Sequence, residues 1–234
     1  MAIEILADKT AITHRALEIV LELYQQAIAT RGLFSLVAAG GSTPKLLYQA
    51  LAAQDLDWHK VHVFWGDERY VPVTDPQSNQ GMTLAAWLDH VDIPRANIHP
   101  MLTDAEEPAI AAASYEQKIQ GFFGADTPPV FDLILLGIGD DGHTASLFPH
   151  TAALTVSDRW VTVGKKDEQP RLTLTYPLIN QARQILFLVD GESKAPAVAA
   201  ILGADPVDLQ QYPARGINPG ATWLVSESAA ALLQ

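Results

Sequence analysis

Three features of the sequence predict an α/β fold built as a three-layer α/β/α sandwich around a mostly parallel sheet. Short apolar runs alternate with segments of helical periodicity along the whole chain, and glycine-rich turns follow the apolar runs. The run 131–136, apolar apart from Asp132, is what a parallel strand covered on both faces would show. At 234 residues, with 48% hydrophobic and 18% charged residues, the chain can bury a sizeable core, and a single domain over 1–234 is expected.

Residues 2–6 read as a short edge strand. Ala16, Leu17, Ile19, Val20, Leu23, Tyr24 and Ala27 then recur at helical spacing within 11–29, before Gly32. A strand over 33–39 runs into Gly40-Gly41, where Ser42-Thr43-Pro44 offers a cap and an early proline for a helix over 45–53. The strand at 61–66 leads into Asp67-Glu68-Arg69-Tyr70, and a polar loop around 75–79 precedes a helix through Leu88. Residues 105–123 are helical, 131–136 form a strand, and 171–176 alternate as a half-exposed strand should. The strand 185–189 feeds Gly191-Glu192-Ser193-Lys194 and a helix through Leu202. Residues 203–220 read as a surface excursion, 221–225 as a final strand and 227–233 as a closing helix.

The chain has no cysteine, so disulfides, thiol nucleophiles and thiolate metal sites are excluded together. Acidic residues near the start and the lack of a long apolar run predict a cytoplasmic protein with no membrane partner. A net charge of −12 and a pI near 4.8 argue against nucleic acid as a partner. An anionic metabolite would need a local basic patch; Arg69, Arg171 and Lys194, each near the end of an expected strand, are the candidates.

Gly137-Ile138-Gly139-Asp140-Asp141-Gly142-His143 carries the clearest chemistry. It matches G-x-G-x-x-G literally, yet Asp140 and Asp141 would set carboxylates beside a pyrophosphate that wants amide N–H groups. A neutral His143 oriented by Asp141 at the mouth of a site fits acid/base catalysis better. Gly40, Gly41, Ser42 and Thr43 lack Walker spacing but suit an anion, through close backbone approach, hydroxyl donors and a following helix N-terminus. The seven histidines show no H-E-x-x-H spacing, and no G-x-S-x-G elbow is present, so the expected chemistry needs no metal and no cofactor.

Together, Ala39-Gly40-Gly41-Ser42-Thr43-Pro44, Trp65-Gly66-Asp67-Glu68-Arg69, Ser78-Asn79, the stretch from Leu136 through His143 to Pro149, Pro170-Arg171-Leu172-Thr173-Leu174-Thr175 and Gly191-Glu192-Ser193-Lys194-Ala195 resemble the glucosamine-6-phosphate isomerase/6-phosphogluconolactonase family. The resemblance spans nearly the whole chain and implies the Rossmann-like fold of the glucosamine-6-phosphate deaminase superfamily. Deaminases of this pattern follow the histidine with an Ala-Phe-Asn-Glu type run. Here Thr144-Ala145-Ser146-Leu147-Phe148-Pro149 lacks that Glu, and Arg69 stands where the deaminases usually have Tyr, so the chain resembles the lactonases.

The resemblance implies hydrolysis of 6-phospho-D-glucono-1,5-lactone to 6-phospho-D-gluconate in the oxidative pentose phosphate route. His143 would act as general base on water and Asp141 would hold its ring. It also implies that Arg171 and Lys194 bind the phosphate, that Gly40, Gly41, Ser42, Thr43 and Arg69 contact substrate, and that Asp67 lies at the site with its task open. Loop N–H groups at Gly40 to Ser42, or Arg69, are the alternative oxyanion donors. A deaminase-like enzyme and a non-catalytic sugar phosphate binding module are the competing readings. A small-molecule partner is expected, with a monomer favoured.

Overall fold

The structure, a computed structural model, describes residues 2–105, 107–124, 128–203 and 208–233. Among these, strands β1 (Ala2–Leu6), β2 (Phe34–Ala38), β3 (Val61–Trp65), β4 (Asp67–Arg69), β5 (Ile98–His99), β6 (Leu133–Leu136), β7 (Val161–Lys166), β8 (Gln169–Leu174), β9 (Gln184–Val189) and β10 (Thr222–Ser226) are joined by helices α1 (Lys9–Arg31), α2 (Ser42–Ala52), α3 (Asn79–Ala86), α4 (Pro108–Phe123), α5 (Tyr176–Ile179) and α6 (Ala195–Leu202). Seven strands form one wholly parallel sheet in the order β1-β10-β9-β6-β2-β3-β5.

Side-chain alternation assigns the layers. Phe34 and Val61 are register partners and share a face, whereas Phe64 points the other way. Tyr24 of α1 packs edge-on against Phe34, and Phe122 of α4 packs against Phe64, so the sheet carries helices on both faces. Such double cover explains why β2 and β6 are buried at every position, and why they read as apolar runs, Ser35 apart. The α1 helix starts on Asp8, whose carboxylate accepts the Ala11 N–H at 2.9 Å, and stops at Gly32, whose φ of 77° supplies the left-handed turn.

Strand order reverses between β2 and β6: the chain proceeds from β2 outward to β3, and from β6 outward to β9 and β10. A crevice opens beyond the carboxyl ends at such a switch point. At the opposite end Asp132 clamps the same two strands. Its buried carboxylate accepts from Ser35 N at 2.9 Å and Ser35 Oγ at 3.0 Å, and lies 2.7 Å from Arg31 and 3.4 Å from Arg183.

Four expectations need correction. The 171–176 run belongs to a separate antiparallel sheet, β4-β8-β7, and β7 is absent from the sequence reading. The β7–β8 turn places Asp167 and Glu168 at φ of 49° and 65°, a conformation usually signalled by Asn-Gly, so this sequence hid the hairpin. The α2 helix begins at Ser42 itself, with Gly41 as its cap, so neither Ser42 nor Thr43 is the capping residue.

Residues 227–233 form turns, not a helix. The Ser226 hydroxyl captures the Ala229 N–H, and the segment closes as successive turns. The stretch after residue 207 is more than a surface excursion, because Ala214 is buried and its N–H donates to Gly142 O at 3.0 Å. The remainder of that expected excursion, 204–207, lies outside the described residues.

Asp132→Ala would leave the Ser35 N–H and hydroxyl buried without an acceptor and remove the partner of Arg31. The expected cost is about 2–4 kcal/mol, read by urea unfolding; stability within experimental error of the parent would show that the clamp contributes nothing.

Candidate active site

Four loops meet at the switch-point crevice: Gly40-Gly41 after β2, Gly66 to Arg69 after β3, Gly137 to His143 after β6, and Gly191 to Lys194 after β9. The loop after β6 opens no helix. That removes the helix N-terminus a pyrophosphate would need, and with it the dinucleotide reading of Gly137 to Gly142.

In place of a helix, the loop folds into a tight turn around His143. Gly142 N donates to Gly139 O at 3.0 Å, and Gly139 N donates to His143 O at 2.9 Å. Asp141 Oδ1 accepts from His143 N at 3.1 Å and lies 2.5 Å from Nδ1. A proton on Nδ1 donated to this carboxylate leaves Nε2 as the acceptor. Burial pushes the Asp141 carboxyl up, but the hydrogen bond and charge of His143 outweigh it and hold the group at about 2. Asp141 is therefore ionised throughout the neutral range.

The turn tolerates no side chain at Gly139, where a Cβ would come within 2.0 Å of His143 Nδ1 and 2.5 Å of Asp141 Oδ1. Tyr212 closes it from behind, since a Cβ at Gly142 would lie 2.6 Å from its ring. Phe148 packs its ring against the imidazole with centroids 4.4 Å apart.

His143 opens onto a cleft of about 220 Å³ whose wall includes Gly40, Asp67, Arg69, Lys166 and Arg171. Arg69 and Arg171 face each other across the β4–β8 ladder. The Nε of each is buried with no partner. Desolvation first, and the charge of Arg69 second, lower the affinity of the Arg171 guanidinium for its proton. Arg171 and Lys166 both lie over the Phe148 ring, at 5.8 and 5.4 Å from its centroid. A small anion entering here would meet two half-buried guanidinium groups held close together.

Asp67 sits in the same wall, buried, with Ser146 Oγ donating to it at 2.7 Å and Asn79 Nδ2 at 3.2 Å. Its neighbour Glu68 points away from the cleft. Its carboxylate accepts the N–H groups of Arg69, Asn79 and Gln80, fixing the start of α3, although burial raises its pKa.

The structure does not bring Arg171 and Lys194 into one cavity. Gly41, Ser42, Thr43 and Lys194 line an adjoining cleft of about 180 Å³, which shares Gly40, Gly41, Gly137 and Ile138 with the first. Lys194 is paired there with Asp140 at 2.5 Å. Ser42 Oγ accepts from Lys9 Nζ at 3.2 Å, and Lys9 also pairs with Asp190 at 3.2 Å. Lys166 is a site residue that the sequence reading omits together with its strand; the alternation of Val161 and Val163 before it is the signal for that strand. Asn79, Ser146 and Phe148 stand within the recognised motifs with no role assigned, because their importance lies in contacts made across the fold.

Residues 7–226 match the family described as glucosamine-6-phosphate isomerases/6-phosphogluconolactonase. The chain is 55% identical over 231 residues to a 6-phosphogluconolactonase of Synechocystis, covering 97% of this chain and 96% of the relative. It is 50% identical over 235 residues to a 6-phosphogluconolactonase of Nostoc, covering 99% and 98%. The crystal structure of 6-phosphogluconolactonase from Thermotoga maritima superposes with a TM-score of 0.84 at 30% identity, over 96% of this chain and 99% of that one. A parallel sheet with its histidine turn at the switch point and near full-length similarity on both counts establish that this chain belongs to the glucosamine-6-phosphate isomerase/6-phosphogluconolactonase family.

Proposed function

We propose that the protein hydrolyses 6-phospho-D-glucono-1,5-lactone to 6-phospho-D-gluconate, with His143 as general base. The observation that carries this reading is the His143–Asp141 pair opening onto the same cleft as two half-buried arginines, each with a buried Nε that has no partner among the described residues. Nε2 of His143 takes a proton from water as its oxygen attacks C1. The carbonyl π pair moves to oxygen and gives a tetrahedral oxyanion. The C1–O bond of the ring then breaks as that oxyanion collapses, and the imidazolium returns the proton to the departing ring oxygen. Asp141, whose carboxyl is held at about 2 and is therefore ionised in the neutral range, balances the imidazolium between the two steps.

The product carries a phosphate at one end and a carboxylate at the other. The two joined clefts match that pattern, and only one of them holds the base. Arg69 and Arg171 therefore face the C1 oxygen as it becomes an oxyanion and then a carboxylate. The phosphate rests in the adjoining cleft, on the amide groups at the start of α2 beside Ser42 and Thr43, with Lys194 turning to it from Asp140. Asp67, whose two oxygens each receive one protein donor, keeps lone pairs for a sugar hydroxyl. No step calls for a metal or cofactor, and a cytoplasmic metabolic enzyme fits the cysteine-free sequence.

The test follows acid release from freshly generated lactone against the spontaneous rate, with ammonia release from glucosamine 6-phosphate run in parallel. Acceleration of the first alone is expected, and ammonia release without lactone opening would replace this reading with the deaminase one. His143→Ala is expected to lower kcat by about 10² or more at an unchanged melting temperature; near-normal turnover would return His143 to a structural role.

Two further variants separate the ends of the substrate. Arg171→Gln should lower kcat by about 10², whereas Lys194→Met should raise KM about tenfold, equivalent to ~1.4 kcal/mol of binding. The reverse pattern would move the phosphate to the arginine cleft.

A further inference from the structure

Asn79 joins two opposite charges that β4 presents side by side in the cleft wall, Asp67 and Arg69. It is 1% exposed, at the first position of α3, with its backbone N–H held by Glu68 Oε1 at 2.8 Å and its carbonyl accepting from Thr83 Oγ1 at 2.8 Å. The side chain therefore leaves a fixed point. Its Oδ1 accepts from Arg69 Nη1 at 2.8 Å, and its Nδ2 donates to Asp67 O at 2.9 Å and Asp67 Oδ1 at 3.2 Å.

These partners leave one orientation for the amide: the oxygen must face the guanidinium and the nitrogen the carboxylate. No other side chain of this size offers an acceptor and a donor on neighbouring atoms without adding a charge. Asp would set a second carboxylate against Asp67, and Leu would leave both partners unmet in a buried place. The Gly40 loop also rests on this amide, since a Cβ at Gly40 would stand 2.0 Å from Asn79 Oδ1.

Arg69 has few other restraints. Its Nη1 donates to Gln77 O at 2.7 Å, its Nε has no partner, and it faces the like charge of Arg171 across the strand ladder. A guanidinium repelled from one side needs an acceptor on the other to keep its aim.

We infer that Asn79 is a positioning residue for the lactone-opening reaction, setting the aim of Arg69 toward the C1 oxygen while holding Asp67 beside it in the same wall. It acts through Arg69. This inference rests on the assignment of Arg69 to the oxyanion in the proposed mechanism. The expected signature is a loss in kcat and not in KM, because the aim of a donor matters most when charge develops on its acceptor.

A double-mutant cycle on lactone hydrolysis tests it, with Asn79→Ala, Arg69→Gln and the combination, each checked for folding by thermal melting. Asn79→Ala is expected to lower kcat by about 10- to 100-fold with KM within about threefold. The combination should turn over within about twofold of Arg69→Gln alone, as for residues acting as one unit. If Asn79→Ala does not fold, Asn79→Ser takes its place, since serine fits the site but cannot reach Arg69. Multiplicative losses would overturn the positioning role and leave the mechanism standing. A normal kcat for Arg69→Gln would overturn both.

Discussion

The arrangement of this site depends on keeping two guanidinium groups together. Arg69 and Arg171 are direct partners across an antiparallel ladder, a placement that costs energy for like charges, and both have a buried Nε without an acceptor. The surrounding structure offsets that cost in three ways. Asp67 and Glu68 lie in the same strand as Arg69 and supply opposite charge; Asn79 and Gln77 accept from Arg69; and Phe148 presents its ring face to Arg171. An acidic chain of net charge −12 thus holds a local positive field where an anionic ligand must enter.

The histidine turn faces a different constraint, which is space. The 2.5 Å approach of His143 to Asp141 closes a loop so small that Gly139 must lack a side chain, and Ala145 takes a positive φ of 49° to bring the chain back toward Ser146. That return places Ser146 on Asp67 and Phe148 under Arg171. The histidine turn and the side chains that brace the cationic wall, Ser146 and Phe148, therefore belong to one continuous run of chain, so a change in the turn is felt at the wall.

Most of the fold was legible because the parallel sheet is buried on both faces: β2, β3, β6 and β9 are apolar runs that end in glycine or in Asp-Glu-Arg, and those ends are where the site lies. His143 and Asp141 were legible for the same reason, being local in sequence. The small antiparallel sheet was not. Its β4 is only the polar Asp67–Arg69, and its hairpin turns on Asp167 and Glu168 in left-handed conformations that carry no sequence signal. Lys166 went unseen with it, and so did the geometry that parts Arg171 from Lys194, since cross-strand register is set by pairing and not by spacing along the chain. Asn79 shows the same limit, because its contacts span ten and twelve residues and join separate elements.

Charge in the cleft also bears on which member of the family's chemistry this chain performs. An amino sugar phosphate is cationic at its amine near neutral pH, close to the carbon where reaction occurs. Arg69, Arg171 and Lys166 would each repel that ammonium by on the order of 3 kcal/mol at ~5 Å, taking an effective dielectric near ~20, and Asp67 in the same wall offsets about one of these three charges, leaving a net repulsion. In the proposed mechanism a lactone carries no positive charge there and gains negative charge as it reacts, so the wall that disfavours the amine would stabilise the oxyanion. The discrimination arises from a field present before either ligand binds, and the cross-strand pairing of two arginines is what fixes it.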